Sequence, residues 1–459
     1  MNHPAPPPAL PHAAGADAFL GEAGALLGPR GLTTDPDLMQ PWLTDWRGRY
    51  TGRALALASP ASTAEVAALV KLCAAHRVPI VPQGGNSGMA GGATPDASGT
   101  AIILSLRRMN AVRSVSAENG QAVCEAGVIL QTLHEAAEAA GLRFPLTLGG
   151  KGSATIGGLI ATNAGGTQVL RHGTMRAQVL GLEAVLADGS VLDLMTPLKK
   201  DNRGFDLKQL LIGSEGTLGI VTAARLRLLP APGARATAWL GLPSITEAGR
   251  VLRHLQKLSG QYLEGFEVLP DQCLASVLAH LPGARAPLTE RCPWYALVEY
   301  VADTDDDDWL TKLLQDDLID AEEEGLATNG VIATSQRQAD ELWRLRDSIS
   351  AAERARGPAV QHDIAVPVDR MPDFILAAVP AIEAAFPGTQ AFGFGHLGDG
   401  NVHFHVKAPG GAVRGVWEER EGKAISAAVH DLVTAWGGSI SAEHGIGQMK
   451  VDELARLHD

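Results

Sequence analysis

Two short segments of this 459-residue chain carry side chains of the kinds that move protons or hold metals. One reads His396-Leu397-Gly398-Asp399-Gly400-Asn401-Val402-His403-Phe404-His405-Val406, the other Ser441-Ala442-Glu443-His444-Gly445. Alternation over Val402–Val406 puts His403 and His405 on one face of a strand, with Val and Phe on the other. A turn of Gly, Asp and Asn can return His396 over that face. Two strand histidines alone are most simply a polar sheet surface. With Glu443 and His444 added, the imidazoles and carboxylate form a nitrogen–oxygen set suited to a divalent transition metal, zinc or manganese, with an open coordination position.

Three glycine loops point to a second ligand. Pro82-Gln83-Gly84-Gly85-Asn86-Ser87-Gly88 follows a buried strand over residues 78–81. Its base is therefore rigid, and glycines let backbone N–H groups turn toward an anion without a Cβ in the way. The second loop runs Gly149-Gly150-Lys151-Gly152-Ser153-Ala154-Thr155-Ile156-Gly157-Gly158 and continues to Asn163-Ala164-Gly165-Gly166. The third is Gly213-Ser214-Glu215-Gly216-Thr217-Leu218-Gly219. Each alone is a tight turn; three in one region favour a long, phosphate-bearing cofactor. Two superficial matches fail. Gly393-Phe394-Gly395-His396-Leu397-Gly398 has the G-x-G-x-x-G spacing, but Asp399-Gly400-Asn401 and a strand follow it where a dinucleotide fold needs a helix. Lys151 lacks the spacing and the following Ser/Thr of a P-loop.

The elements that must position these residues fall into two regions. In the first, Ser62-Thr63-Ala64-Glu65 is a capping box opening a helix to His76, and residues 101–104 read as a strand. Residues 131–140 read as a helix, and residues 179–194 and 218–229 as β-rich. A boundary falls near Ala231-Pro232-Gly233. Beyond it, strands are expected over 236–242, 294–301, 331–334, 364–368 and 402–406. Helices are expected after Ser244, from the acidic run Asp305–Asp308, and over 337–354, 371–386 and 415–436. That alternation predicts an open sheet covered on one face.

Bulk properties set the outer limits. The net charge of −13 argues against a nucleic-acid partner. No apolar run is long enough to span a bilayer. Met1 to Pro11 reads as a disordered Pro/Ala-rich tail rather than a signal peptide. Cys73, Cys124, Cys273 and Cys292 form no C-x-x-C pair and read as reduced thiols of a cytoplasmic protein.

Together the segments Pro82–Gly88, Lys151–Gly166, Gly213–Thr222, Gly395–His405 and Ser441–Gly447 resemble the p-cresol methylhydroxylase and vanillyl-alcohol oxidase superfamily, within it the D-2-hydroxyglutarate and D-lactate dehydrogenase group. The resemblance runs from about Thr44 to Lys450. It implies an α+β fold, with an FAD-binding domain of the p-cresol methylhydroxylase (PCMH) type and a ferredoxin-like substrate domain. The corresponding division is a lead-in over 1–43, a flavin domain over 44–230, a substrate domain over 231–420 and a returning segment over 421–459. It implies that the first loop wraps the FAD pyrophosphate, the second lines the flavin, and Gly219 and Ile220 meet the cofactor. The first loop has no His or Cys to carry FAD covalently, so non-covalent FAD is expected. Relatives of this kind usually continue through a helix to an Asn-Pro-Gly-Lys segment, so the sequence ending at Asp459 reads as shortened.

By the same resemblance His396, His403 and Glu443 are metal ligands, His444 is the base, and His405 stands behind the ligands. The implied reaction oxidises a small D-2-hydroxy acid and passes electrons to a flavoprotein, cytochrome or quinone; a homodimer is compatible with it. An oxygen-using oxidase of the same fold and a non-flavin metal-dependent hydrolase are the alternatives. From pattern alone Arg346 reads equally well as a surface helix residue, but the resemblance sets it against a substrate carboxylate, as guanidinium geometry allows. Ser350 is expected one turn later on the same helix face. Relatives acting on D-2-hydroxyglutarate have a lysine just before the Asp363 strand. Gln361 stands there in this chain, which implies weaker selectivity for dicarboxylates because a desolvated second carboxylate would lack a compensating charge.

Overall fold

A computed structural model describes residues 13–198 and 200–457, so the expected tail over Met1–Pro11 lies outside the described residues. The chain forms two compact units. The first holds the described residues up to Gly165, then Gly173–Ala231 and His444–Asp452. The second holds Gly166–His172, Pro232–Glu443 and the described residues from Glu453.

In the first unit, strands Ala56–Ala58, Ile102–Ser105 and Ile80–Gln83 pair in parallel, with Leu32–Thr33 antiparallel at the edge. Parallel strands away from the sheet edge are covered on both faces, and Ile102–Ser105 is buried throughout and apolar up to Ser105. Ile102 and Leu104 join the main core, while Ile103 packs with Leu57 and Met39 on the other side. The Thr63–His76 helix covers the main core with Val66, Leu69, Val70 and Cys73. Ser62 caps it by accepting from the Glu65 N–H at 3.2 Å. The Glu65 carboxylate reaches back to the Ala61 N–H, one residue before the cap. A five-stranded antiparallel sheet, in the order Val112–Ser116, Gln121–Glu125, Gly219–Arg227, Val179–Leu186, Val191–Asp193, completes the unit.

The second unit is built on a seven-stranded sheet whose pairings are all antiparallel. Strands Ala234–Leu242, Leu263–Pro270, Trp294–Ala302 and Asn329–Ile332, taken as first to fourth in the chain, lie in the order four-one-three-two, which is the ferredoxin-like arrangement. Gln390–His396, Asn401–Lys407 and Ala359–Ala365 extend the sheet beyond Leu263–Pro270.

Several expectations need correction. Helices cover both sheet faces rather than one. Ala238, Leu240 and Val298 face one core with residues of the Ile245–Ser259, Asp307–Glu323, Met371–Ala385 and Val416–Ala435 helices. Trp239 and Leu297 face the other, covered by the Asp271–His280, Gln336–Asp347 and Ile349–Ala355 helices. The alternating burial of a two-sided sheet leaves few polar positions, so one-sided amphipathicity is a poor guide. The single helix expected over 337–354 breaks at Ser348. The second glycine stretch contains a helix, Ile156–Thr162. The strand expected over 364–368 begins earlier, at Ala359. Residues 421–443 belong to the second unit, and only His444–Asp452 return to the first.

A β-bulge at Glu264 shifts the register between Leu263 and Gly265 against their partner strand. It turns a fully buried carboxylate toward residues 166–172. Glu264 accepts from Gln168 Nε2, Arg171 Nη1 and His172 Nε2, each at 3.1 Å. Removing one partner of a buried ionic group costs about 3–5 kcal/mol because the other charge is left uncompensated. Glu264→Ala should therefore lower the thermal unfolding midpoint by several degrees and expose the Arg171 peptide bond to trypsin. Unchanged melting and digestion would contradict this anchoring role.

Candidate active site

The first unit holds a cleft that is open to solvent. The walls are mostly small or backbone-presenting residues, among them Pro82, Gly84, Gly88, Gly157, Gly158, Gly216, Gly219 and Ile220, and His444 also lines it. The first two glycine loops meet backbone to backbone. A Cβ on Gly85 would stand 1.7 Å from the Ser153 carbonyl oxygen, and one on Gly84 would stand 2.4 Å from Thr155 Oγ1. Asn86 takes a left-handed conformation, φ 50°, and its side-chain amide donates to the Thr44 carbonyl. Gly157 approaches Ala126 so closely that a Cβ would lie 2.8 Å from the Ala126 Cβ.

Of the expected cofactor residues, Pro82, Gly84, Gly88, Gly157, Gly219 and Ile220 line this cleft. Gly85 and Ser153 form the seam between the loops. Ile156 is wholly buried in the core, and Asn163 ends its helix in a left-handed conformation. Gly149 and Gly152 lie on the exposed outer bend of the second loop. Ser87 is half-buried beside Gly88, Gly165 is buried at the end of the first unit's chain segment, and Gly166 belongs to the second unit.

Glu215, to which no role was given from sequence, fixes the segment bearing His444. It accepts from the Ile446 N–H at 2.7 Å and from the Gly447 N–H at 2.8 Å. Gln448 Nε2 donates to the carbonyls of Gly91 and Thr94.

In the second unit, His396, His403 and Glu443 each offer a ligand atom, all within 4.8 Å of one another. Sheet register brings them together. Gln390–His396 and Asn401–Lys407 form a hairpin in which Phe394 opposes His403 and His396 opposes Asn401. His403 also opposes Asp363 on the next strand. Asp363 accepts from Asn401 Nδ2 with one oxygen and from the Glu443 N–H with the other, both at 2.8 Å. It thereby places the Glu443 backbone. The His396 and His403 rings stand 5.3 Å apart and nearly perpendicular. His405 instead packs edge-on against Phe392 and Phe394, behind the cluster.

Glu267 completes the group and has no counterpart in the sequence reading. It lies directly across from His396 in the sheet, 1% exposed. Oε1 contacts His396 Nδ1 at 2.5 Å, and Oε2 accepts from Arg346 Nε at 2.9 Å. Burial opposes its ionisation, but Arg346 and His396 together hold the carboxyl down at about 2. Arg346 Nη2 also lies 3.2 Å from His396 Nε2. Ser350, by contrast, is exposed on the helix beyond the Ser348 break and does not share a continuous helix face with Arg346. Burial, with Asp363 and Asp399 nearby, pushes the Glu443 carboxyl up to about 7 against the pull of His396. Asp399 is likewise raised, chiefly by burial. Crowded, desolvated carboxylates beside two imidazoles form an environment that a divalent cation would stabilise.

An α+β flavin-type cleft in one unit, and a histidine–carboxylate cluster on an extended ferredoxin-like sheet in the other, define an FAD-linked oxidoreductase. Residues 54–195 match the FAD-binding domain family, and residues 231–459 match the C-terminal domain of FAD-linked oxidases. The chain is 38% identical to the mitochondrial D-2-hydroxyglutarate dehydrogenase of Bos taurus, over 93% of this chain and 76% of that one. It is 37% identical to the D-2-hydroxyglutarate dehydrogenase of Xanthomonas citri pv. viticola, over 92% and 87%. The structure of p-cresol methylhydroxylase shares the fold, with a TM-score of 0.75 at 15% identity over 98% of this chain and 92% of that one. The protein belongs to the FAD-linked dehydrogenase family that contains the D-2-hydroxyglutarate dehydrogenases.

The cleft fits FAD in one specific way: its loops approach where any side chain would intrude. Gly85→Val should force the first two loops apart and release flavin from purified protein, seen as a lost ratio of 450 nm to 280 nm absorbance. Flavin content equal to the parent would show that this seam does not shape the cofactor site.

Proposed function

We propose that the protein is an FAD-dependent dehydrogenase that oxidises a D-2-hydroxy acid to the 2-oxo acid, assisted by a divalent metal, zinc or manganese, held by His396, His403 and Glu443. The observation that carries this reading is the convergence of those three ligand groups beside Arg346 in a chain of this family. The FAD-binding domain argues against the non-flavin hydrolase alternative.

When bound, FAD supplies a hydride acceptor and the metal a Lewis acid that acidifies the substrate hydroxyl. The chain's own residues supply the rest. Backbone groups of the glycine loops bind the pyrophosphate. Arg346 binds the substrate carboxylate; two of its nitrogens are committed to Glu267, and the third, Nη1, now 3.7 Å from the exposed Asp347 carboxylate, makes that contact. Glu443 and His444 are consecutive, so a single backbone segment carries both a metal ligand and the base. His444 takes the hydroxyl proton as the α-hydrogen leaves with its electron pair; a neutral imidazole, of ordinary pKa about 6.5, suits this. Reoxidation by a flavoprotein, cytochrome or quinone follows. The four free, buried cysteines fit a reducing compartment such as the cytoplasm.

The test is anaerobic. Purified yellow protein should bleach with D-2-hydroxyglutarate or D-lactate and stay oxidised with the L-enantiomers. His444→Ala should keep flavin and metal but reduce flavin about 10²–10⁴-fold more slowly, the usual contribution of general base catalysis. Bleaching at the parental rate in that variant would remove His444 as the base.

Gln361 decides the finer question of which acid. It opposes His405 on the edge strand Ala359–Ala365, two residues from Asp363. Its neutral amide leaves a second substrate carboxylate uncompensated. Gln361→Lys should raise kcat/KM for D-2-hydroxyglutarate relative to D-lactate by about tenfold, which corresponds to about 1.4 kcal/mol. A parent already strongly selective for the dicarboxylate, with no gain from lysine, would overturn this assignment.

A further inference from the structure

Among the described residues, Glu267 is the carboxylate that touches both a candidate metal ligand and the candidate substrate arginine. It sits in mid-strand over Leu263–Pro270, in register with His396, so backbone pairing rather than side-chain flexibility sets its position. Its two oxygens divide the work. Oε1 meets His396 Nδ1 at 2.5 Å; Oε2 lies 2.9 Å from Arg346 Nε and 2.8 Å from Arg346 Nη2.

These partners constrain the His396 ring. A carboxylate can only accept, so Nδ1 must carry a proton. Arg346 Nη2 lies beside both ring nitrogens, 3.4 Å from Nδ1 and 3.2 Å from Nε2, so it is the Glu267 contact that singles out Nδ1 and leaves Nε2 as the nitrogen for a metal. Nε2 is also the ring atom that lies toward Glu443, 3.9 Å from its Oε1. The same carboxylate occupies the Nε–Nη2 side of Arg346 and leaves Nη1, 3.7 Å from Asp347, on the other side.

We propose that Glu267 is a positioning residue for both halves of substrate capture: it fixes the Nδ1–H tautomer and ring orientation that aim His396 Nε2 at the metal, and it orients the Arg346 fork that receives the substrate carboxylate. This rests on the metal reading above. A carboxylate behind a ligating histidine typically changes metal affinity about 10–100-fold. Glutamine keeps the shape of Glu267 but can donate to Nδ1, which favours the wrong tautomer, and it binds Arg346 without charge.

The experiment uses full-length, FAD-loaded protein. Zinc affinity is measured by competition with a chromophoric chelator, and kcat and KM for D-2-hydroxyglutarate are measured at saturating zinc. In Glu267→Gln, zinc affinity should fall about 10–100-fold and KM should rise severalfold, with FAD content and circular dichroism unchanged. A folded variant with parental zinc affinity and KM overturns the proposal while leaving the metal reading intact. A parent that binds no zinc or manganese removes the metal reading and this proposal with it. If Glu267→Gln does not fold, ¹⁵N-histidine spectra of the zinc-loaded parent decide. His396 should coordinate through Nε2 and carry a solvent-protected proton on Nδ1; coordination through Nδ1 overturns the assignment.

Discussion

Register across four neighbouring strands of the second unit determines its chemistry. Glu267 opposes His396, the next hairpin sets Phe394 against His403, and the edge strand sets Asp363 against His403. Side chains alternate faces, so a slip of one residue in any of these pairings would turn the affected groups to the opposite core. Two glycines sustain the register at the hairpin. Gly395 has φ 141°, and a Cβ there would lie 2.7 Å from the Asn401 carbonyl oxygen. Gly400 has φ 80° and approaches the Val366 carbonyl oxygen at what would be 2.1 Å. Helices pack both faces, and this burial makes the alternative registers costly.

That burial also gives the site its electrostatics. Glu267 is wholly desolvated and stays ionised because Arg346 and the hydrogen bond from His396 outweigh the penalty. Glu443 and Asp399 have less compensation, and burial raises both. A group of this kind is balanced only as a set, so removing one member leaves its partners exposed to the full desolvation cost. Glu264, on the same strand, is built on the same principle with a different task. It holds the short Gly166–His172 segment within the second unit.

The first unit solves another problem, that of holding backbone close to backbone around a ligand. Gly85 against Ser153 and Gly157 against Ala126 leave no room for a Cβ, so the loops owe their shape to absent side chains. The first loop leaves the partly buried edge strand Ile80–Gln83, which pairs with the fully buried strand Ile102–Ser105 that supplies its rigid base. Glu215, itself in a left-handed conformation at φ 51°, then ties in the segment that carries His444.

Much of this was legible in the amino-acid order. Helix caps at Ser62 and Ser244, the glycine loops, and His396, His403, Glu443 and His444 all follow from local pattern and from family resemblance, because such signals lie within a few consecutive residues. What escaped the sequence depends on pairing between distant segments. The Leu263–Pro270 strand hid because a bulge at Glu264 breaks its alternation, and so Glu264 and Glu267 seemed unrelated to anything. Asp363 gained its role only when the fold set it against Asn401 and the Glu443 N–H. Ser350 was lost from the Arg346 face because the helix breaks at Ser348, which periodicity alone did not reveal. The sequence determined which groups were available for chemistry; the tertiary structure decided their partners, because sheet register and burial act across more than a hundred residues of chain, beyond the reach of any local signal.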